Sequence, residues 1–124
     1  MRLRIAVSGM RSASGSIVIT IYPNEAKHFL DGRYKLARQA LPVVLPVTHA
    51  CFAFARPGDY AVALFHDRDN SGHFRTTLLG LPAEGYGFSN NPALRFGPPV
   101  LAQVRVKVHR GDNPIVVRMQ HFGG

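Results

Sequence analysis

The stretch Val47–His66, VTHACFAFARPGDYAVALFH, decides the fold. Val47 to Ala55 and Tyr60 to His66 are apolar runs of strand length, and Arg56-Pro57-Gly58-Asp59 lies between them. Proline presets φ at the first central position of a turn and glycine accepts positive φ at the second, so this spacing predicts a β-hairpin with a type II turn. In the second strand Tyr60, Val62, Leu64 and His66 share one face, and Ala61, Ala63, Phe65 and Asp67 share the other.

Working outward, Leu3, Ile5 and Val7 alternate with Arg4, Ala6 and Ser8, and Ile17-Val18-Ile19-Thr20-Ile21 is a β-branched run. Ser14-Gly15 between them predicts a second hairpin. From Asn24 a short helix is expected, with Asn24 as cap, Glu25 in the first turn and an end at Asp31-Gly32. Prolines 42 and 46 mark an irregular crossover. At the far end Val100–Val108 and Ile115–Phe122 flank His109 to Pro114, which predicts a terminal hairpin. The sum is an all-β fold: a two-sheet sandwich of about seven strands, immunoglobulin- or transthyretin-like, with one short helix. It is expected as a single domain over residues 1–124, with a long loop at 66–99.

Composition agrees with a turn-rich β protein: 46% of the 124 residues are hydrophobic, with 12 glycines, 9 prolines and no tryptophan. No apolar run is long enough to span a bilayer as a helix. The lone Cys51 excludes an internal disulfide, and its apolar surroundings, Ala50 to Phe54, predict a small buried thiol. A net charge of +8 favours anionic partners. The cationic residues are nevertheless scattered from Arg2 to Arg118 without a basic run, which makes nucleic acid a poor fit. Arg105, Lys107 and His109 alternate with valines and read as the solvated face of a strand. The histidines lack metal-ligand spacing, and Arg110-Gly111-Asp112 is explained by its turn.

Chemistry concentrates between His66 and Asn91. Asp67, Asp69 and Ser71 occupy the first, third and fifth places of a calcium-type loop, and Gly72 takes the sixth, where a sharp turn is needed. The ninth and twelfth places hold Arg75 and Leu78, so the closing carboxylates are missing unless Glu84 enters from further along the chain. The competing reading is an Asx-rich turn that uses these side chains on its own backbone. Further on, Leu79-Gly80-Leu81-Pro82-Ala83-Glu84-Gly85-Tyr86-Gly87-Phe88-Ser89-Asn90-Asn91 interleaves glycines with polar and aromatic groups. His66, Glu84, Tyr86, Phe88, Ser89, Asn90 and Asn91 are therefore the candidate ligand-binding set, against the alternative that they satisfy each other within a packed loop.

The segments Tyr60 to Asp67, Asp69, Gly72, Leu79-Gly80, Pro82, Glu84 to Asn91 and Phe96-Gly97-Pro98-Pro99 resemble an uncharacterised bacterial family, domain of unknown function twenty-one forty-one. The resemblance implies a β-sandwich exported to the periplasm or beyond, with no established activity. It also implies a calcium-like loop with a further Asp after the glycine, where this chain has Arg75. A cation there meets a fixed positive charge.

Three readings follow. The preferred one is a non-enzymatic, exported binding or interaction module using the 66–91 loop, whose partner is a ligand, a protein or a cell-envelope component. No cofactor is expected, calcium being the sole candidate. The second is a small hydrolase with a His66/Glu84 acid-base pair. The third is polyanion or envelope-surface binding through the basic strand faces.

Overall fold

In the computed structural model, which describes residues 1–74, 84–94 and 97–121, alternation in the sequence becomes alternation in burial. Leu3, Ile5 and Val7 of β1 (Arg2–Ser8) are buried and the residues between them face solvent. The other strands are β2 (Ser16–Pro23), β3 (Ala37–Pro42), β4 (Val47–Ala53), β5 (Gly58–Asp67), β6 (Tyr86–Phe88), β7 (Arg105–Val108) and β8 (Asp112–Arg118). They form the expected two-sheet sandwich. One sheet has the order β4-β1-β8, with β1 antiparallel to β4 and parallel to β8. The other has the order β3-β2-β5-β6, and β7 pairs with the first half of β5. Strands β1 and β2 lie in different sheets, whereas the immunoglobulin order keeps its first two strands together.

The three expected hairpins are not hairpins. From β1 to β2, from β4 to β5 and from β7 to β8 the chain crosses from one sheet to the other. Turn chemistry fixes where the chain reverses, and burial decides whether the two strands lie side by side or face to face. Here facing strands bury Phe52 and Ala50 against the layer of Val62 and Leu64, and Val106 and Val108 against that of Val117. Gly58 has φ of 154°, far from the about +80° of a type II turn.

Two cores result. The first lies between the sheets and contains Ile17, Ile19 and Ile21 with Leu3, Ile5 and Val7. The second covers the outer side of the larger sheet, where Tyr22, Ala61 and Phe88 meet Leu101 and Val104. The latter two come from a single helical turn, α1 (Leu101–Val104), at i,i+3 spacing in a segment expected to be strand. After Gly97-Pro98-Pro99 the turn is fixed by Val100 N–H donating to Gln103 Oε1 at 3.0 Å. The helix expected from Asn24 is instead two 3-10 turns, Ala26–His28 and Gly32–Tyr34. Leu30, at φ of 65°, interrupts the segment, and the Asp31 side chain caps the second turn by accepting from Arg33 N at 3.1 Å.

Cys51 is exposed, contrary to the buried thiol expected. The apolar run around it still alternates, so Thr48, Ala50 and Phe52 point inward and His49, Cys51 and Ala53 outward. Arg105 and Lys107 lie on a solvated face, as expected.

The β1–β2 connection touches the end of β5. Gly15, at φ of 74°, leaves no room for a Cβ, which would collide with the backbone of Asp67 and Arg68. Gly15→Ala is expected to destabilise the fold by about 3 kcal/mol or more, from steric collision and left-handed strain together. A denaturant melt within about 0.5 kcal/mol of wild type would contradict this packing.

Candidate functional site at the loop end

Strand β5 runs to Asp67, and the chain then turns through Asn70 and Gly72, both at positive φ (55° and 82°). Asp67, only 2% exposed, builds this turn. Its Oδ1 accepts from Ser71 N at 3.0 Å and from Ser71 Oγ at 3.1 Å, and its Oδ2 accepts from Gly72 N at 2.7 Å. Asp69 Oδ1 accepts from Ser71 N at 3.3 Å. Ser16 Oγ donates to Asn70 Oδ1 at 2.6 Å, and an Arg38 guanidinium N–H donates to Gly72 O at 2.8 Å, so β2 and β3 both hold the turn. The Asx-turn reading of this segment is therefore correct in its hydrogen bonds. It does not exhaust the geometry.

Glu84 returns to the same place. His66 N–H donates to Gly85 O at 2.9 Å, which sets the segment before β6 against the end of β5. Asp67, Asp69 and Glu84 each present an oxygen within 4.8 Å of the others. Two of the three are buried, Glu84 at 4% exposure. Ser71, the third loop oxygen expected as a ligand, is bonded to Asp67 through its hydroxyl, and Glu84 supplies the third carboxylate. Arg75, Leu78 and the Leu79–Ala83 part of the candidate loop lie outside the described residues.

Close carboxylates repel, and such a cluster is relieved by protons or by a cation. Burial raises the pKa of Asp67, but the N–H groups of Gly72 and Ser71 and the Ser71 hydroxyl, which donate to its carboxylate, outweigh it and hold the carboxyl below the usual carboxylate range. As chemistry the cluster fits a hard cation. Oxygens bound to one calcium ion lie about 2.3–2.6 Å from it and hence within about 5 Å of each other. Water or backbone oxygens would complete the shell.

The other candidates are tied into the packing and hydrogen bonding of the fold. His66 is 1% exposed and its Nε2 sits 2.7 Å from Ser14 O, so Nε2 carries the proton and donates it. Phe88 belongs to the second core, its ring centroid 6.3 Å from that of Phe29. Ser89 is fully buried, its Oγ accepting from Val62 N at 3.1 Å and donating to the Val104 carbonyl. Asn90 Nδ2 donates to Arg105 O at 2.8 Å. Asn91 clamps β8, donating to Val116 O at 2.9 Å and accepting from Arg118 N at 2.7 Å. Both asparagines stand at positive φ (67° and 49°), which their side chains tolerate better than most. Half-buried Tyr86 pairs its main chain with Gln120. The segment from Tyr86 to Phe88, expected as loop, is thus a strand with an asparagine latch behind it.

Three residues with a role here stood outside the candidate ligand-binding set. Ser14 receives His66, Gly85 lies under the His121 ring, and Gly87 lies against Val117; a Cβ on Gly85 would stand 2.7 Å from His121 Nε2, and one on Gly87 2.7 Å from Val117 Cγ1. The glycines flanking Tyr86 were the available signal.

The strand order and this acidic loop end define a β-sandwich with its polar chemistry at one end of the larger sheet. The chain belongs to the family described as "uncharacterized protein conserved in bacteria" (DUF2141), whose signature matches residues 5–116. No curated protein and no solved structure matches it.

Because the Asp67 pKa is depressed in the fold, its stabilisation is present above the unfolded value of about 3.9 and is lost as pH falls through the lower folded value. Thermal melts are expected to fall steeply below about pH 4, and Asp67→Asn should lower stability at neutral pH by about 1–3 kcal/mol while flattening that acid limb. An unchanged acid limb in the variant would remove Asp67 from it. Asn91→Gly, which loses two hydrogen bonds and accepts the left-handed backbone, is expected to cost about 1–3 kcal/mol in a denaturant melt. Native stability in that variant would release Asn91 for a ligand-facing role.

Proposed function

We propose that the protein is a non-enzymatic, exported binding module whose loop end, from His66 to Phe74 with Glu84, forms the working surface around a divalent-cation centre. The convergence of Asp67, Asp69 and Glu84 carries this reading. The chain has only 7 acidic residues and a net charge of +8, and Glu25, Asp31 and Asp112 pair with His28, Arg33 and Arg4. Asp67, Asp69 and Glu84 bring three of the remaining carboxylates together, two of them buried, and an oxygen set of that spacing suits a hard divalent cation. Export rests on the resemblance to a family whose members usually carry signal peptides. Fractionation of cells expressing the protein from its natural gene is expected to place it outside the cytoplasm, and cytoplasmic recovery alone overturns export.

The hydrolase reading is the weaker one. His66 donates its Nε2 proton to a carbonyl, and its ring is enclosed by the fold.

Calcium is expected to bind in the weak class typical of extracellular modules, with Kd of about 10⁻⁴–10⁻³ M. At a hundredfold excess over Kd it should stabilise the fold by about 2.7 kcal/mol. Asp69→Asn and Glu84→Gln should each weaken binding about tenfold, a loss of about 1.4 kcal/mol. Arg75→Asp, which places an oxygen ligand at the ninth loop position, should tighten it. Calorimetry and thermal melts in calcium against chelator provide the measurement. No heat and no shift in the melt with calcium in the millimolar range overturn the cation centre.

A further inference from the structure

Apart from its end, the sandwich leaves a broad sheet surface open among the described residues. The second core covers the outer side of the larger sheet over β2 and β5, whereas the outer face of β4-β1-β8 carries no such layer among those residues. Its residues form a grid fixed by the strand register. Ala6 lies between His49 on β4 and Val116 on β8, and Arg4 lies between Cys51 and Pro114. The short Ala6 side chain leaves a depression, an open groove of about 380 Å³ lined by Arg4, Ala6, His49, Cys51, Pro114 and Val116. That volume falls within the range of about 300–1,000 Å³ typical of small-ligand sites.

One wall of the groove is apolar. Val116 is 59% exposed, an unusual placement for valine on a strand, and Pro114 continues its surface. The opposite wall carries His49 and the Cys51 thiol. The charge on this face is cationic: Arg2, Arg4 and Arg118 point outward, and the acidic residue among them, Asp112, pairs with Arg4 at 3.3 Å. An exposed ion pair of that kind contributes about 0–1 kcal/mol, so it yields to a stronger anion at little cost.

We propose that this groove is a second binding site, separate from the loop end, which takes a small amphiphilic anion: a carboxylate or phosphate head at Arg4 and His49 and an apolar body over Ala6, Pro114 and Val116. The charge complementarity favours an anion, and the apolar wall favours one with a hydrocarbon part. A free ligand fits better than a bilayer surface. Each cation near an anionic membrane contributes about 1 kcal/mol, and three arginines offset by one aspartate hold a protein there only weakly.

Cys51 makes the test direct, because the chain has 1 cysteine and it lines the groove. On the full-length chain, the rate of Cys51 modification is measured with an anionic aromatic disulfide and with neutral N-ethylmaleimide. Decyl phosphate and decanoate, kept below micelle formation, serve as probes. At a tenfold excess over Kd either probe is expected to slow modification about tenfold by mass action. Without probe, the anionic reagent should lose its advantage over the neutral one in Arg4→Gln, because the local field that concentrates anions is reduced. Ala6→Ile, a β-branched residue that suits a strand, fills the depression and should abolish protection while thermal melts stay close to wild type. Glu84→Gln should leave protection unchanged, so the failure of the cation centre and that of this groove are distinguishable. No protection at millimolar probe overturns the proposal, as does equal protection in Ala6→Ile. Cosedimentation with phosphatidylglycerol vesicles in the absence of protection by free probe also overturns it and makes the face a membrane contact.

Discussion

Strand β5 is held on every side, and the rest of the molecule is arranged around that constraint. One edge pairs with β2 along its length, and the other is shared by β7 at its start and β6 near its end. Val62 and Leu64 face the core between the sheets, and Ala61 faces the second core. A strand buried on both faces must have every backbone group paired and every side chain matched to a neighbour. The alanines at positions 61 and 63 follow from this, because Leu101 and Val104 of α1 need a close approach. Asp67 at its end is equally constrained, and its hydrogen bonds turn the chain out of the sheet.

The fold class was legible because period-two alternation survives in almost every strand, as in Leu3-Arg4-Ile5-Ala6-Val7. The pairing of strands was not. Ser14-Gly15, Pro57-Gly58 and His109 to Asn113 carry strong turn chemistry, but a local signal cannot distinguish a turn within a sheet from a crossing between sheets. That choice depends on which faces must meet across the core, and it involves residues far apart in the chain, as Ile5 of one sheet and Leu64 of the other are. Cys51 was misplaced for a related reason: Ala50 to Phe54 is uniformly apolar in composition, and only the register of β4 against β1 reveals which members point outward. The helical turn at Leu101 was hidden because four residues give no usable periodicity.

At the site, the acidic positions were readable and their meeting was not. Asp67, Asp69 and Gly72 announce a turn in any sequence, whereas the approach of Glu84 depends on the pairing of Gly85 with His66. The polar residues after Glu84 illustrate a more general difficulty. Ser89, Asn90 and Asn91 have the composition of a binding loop, and their side chains complete the hydrogen bonding of β5, β7 and β8. A sandwich whose strands are short and whose sheets have ragged edges needs such side chains to satisfy backbone groups that a longer ladder would pair. Polar density in a loop therefore reports structural need as readily as recognition.

The parallel pairing of β1 with β8 sets the order in which the molecule can form. Arg2 lies opposite Asp112 and Ser8 opposite Arg118, so the smaller sheet joins residues at the two extremes of the described chain. The larger sheet contains the nearer pairings, β2 with β3 and β5 with β6, and can assemble while later residues are still being synthesised. β1 has its antiparallel partner β4 at hand but lacks its second neighbour until β8 has left the ribosome. During that interval its row of backbone donors and acceptors is an open edge beside Ile5 and Val7, a template for another chain. Closing so distant a contact is slow on the scale of small domains, about milliseconds to seconds. The nascent protein thus depends on β8 for protection from the open edge of β1.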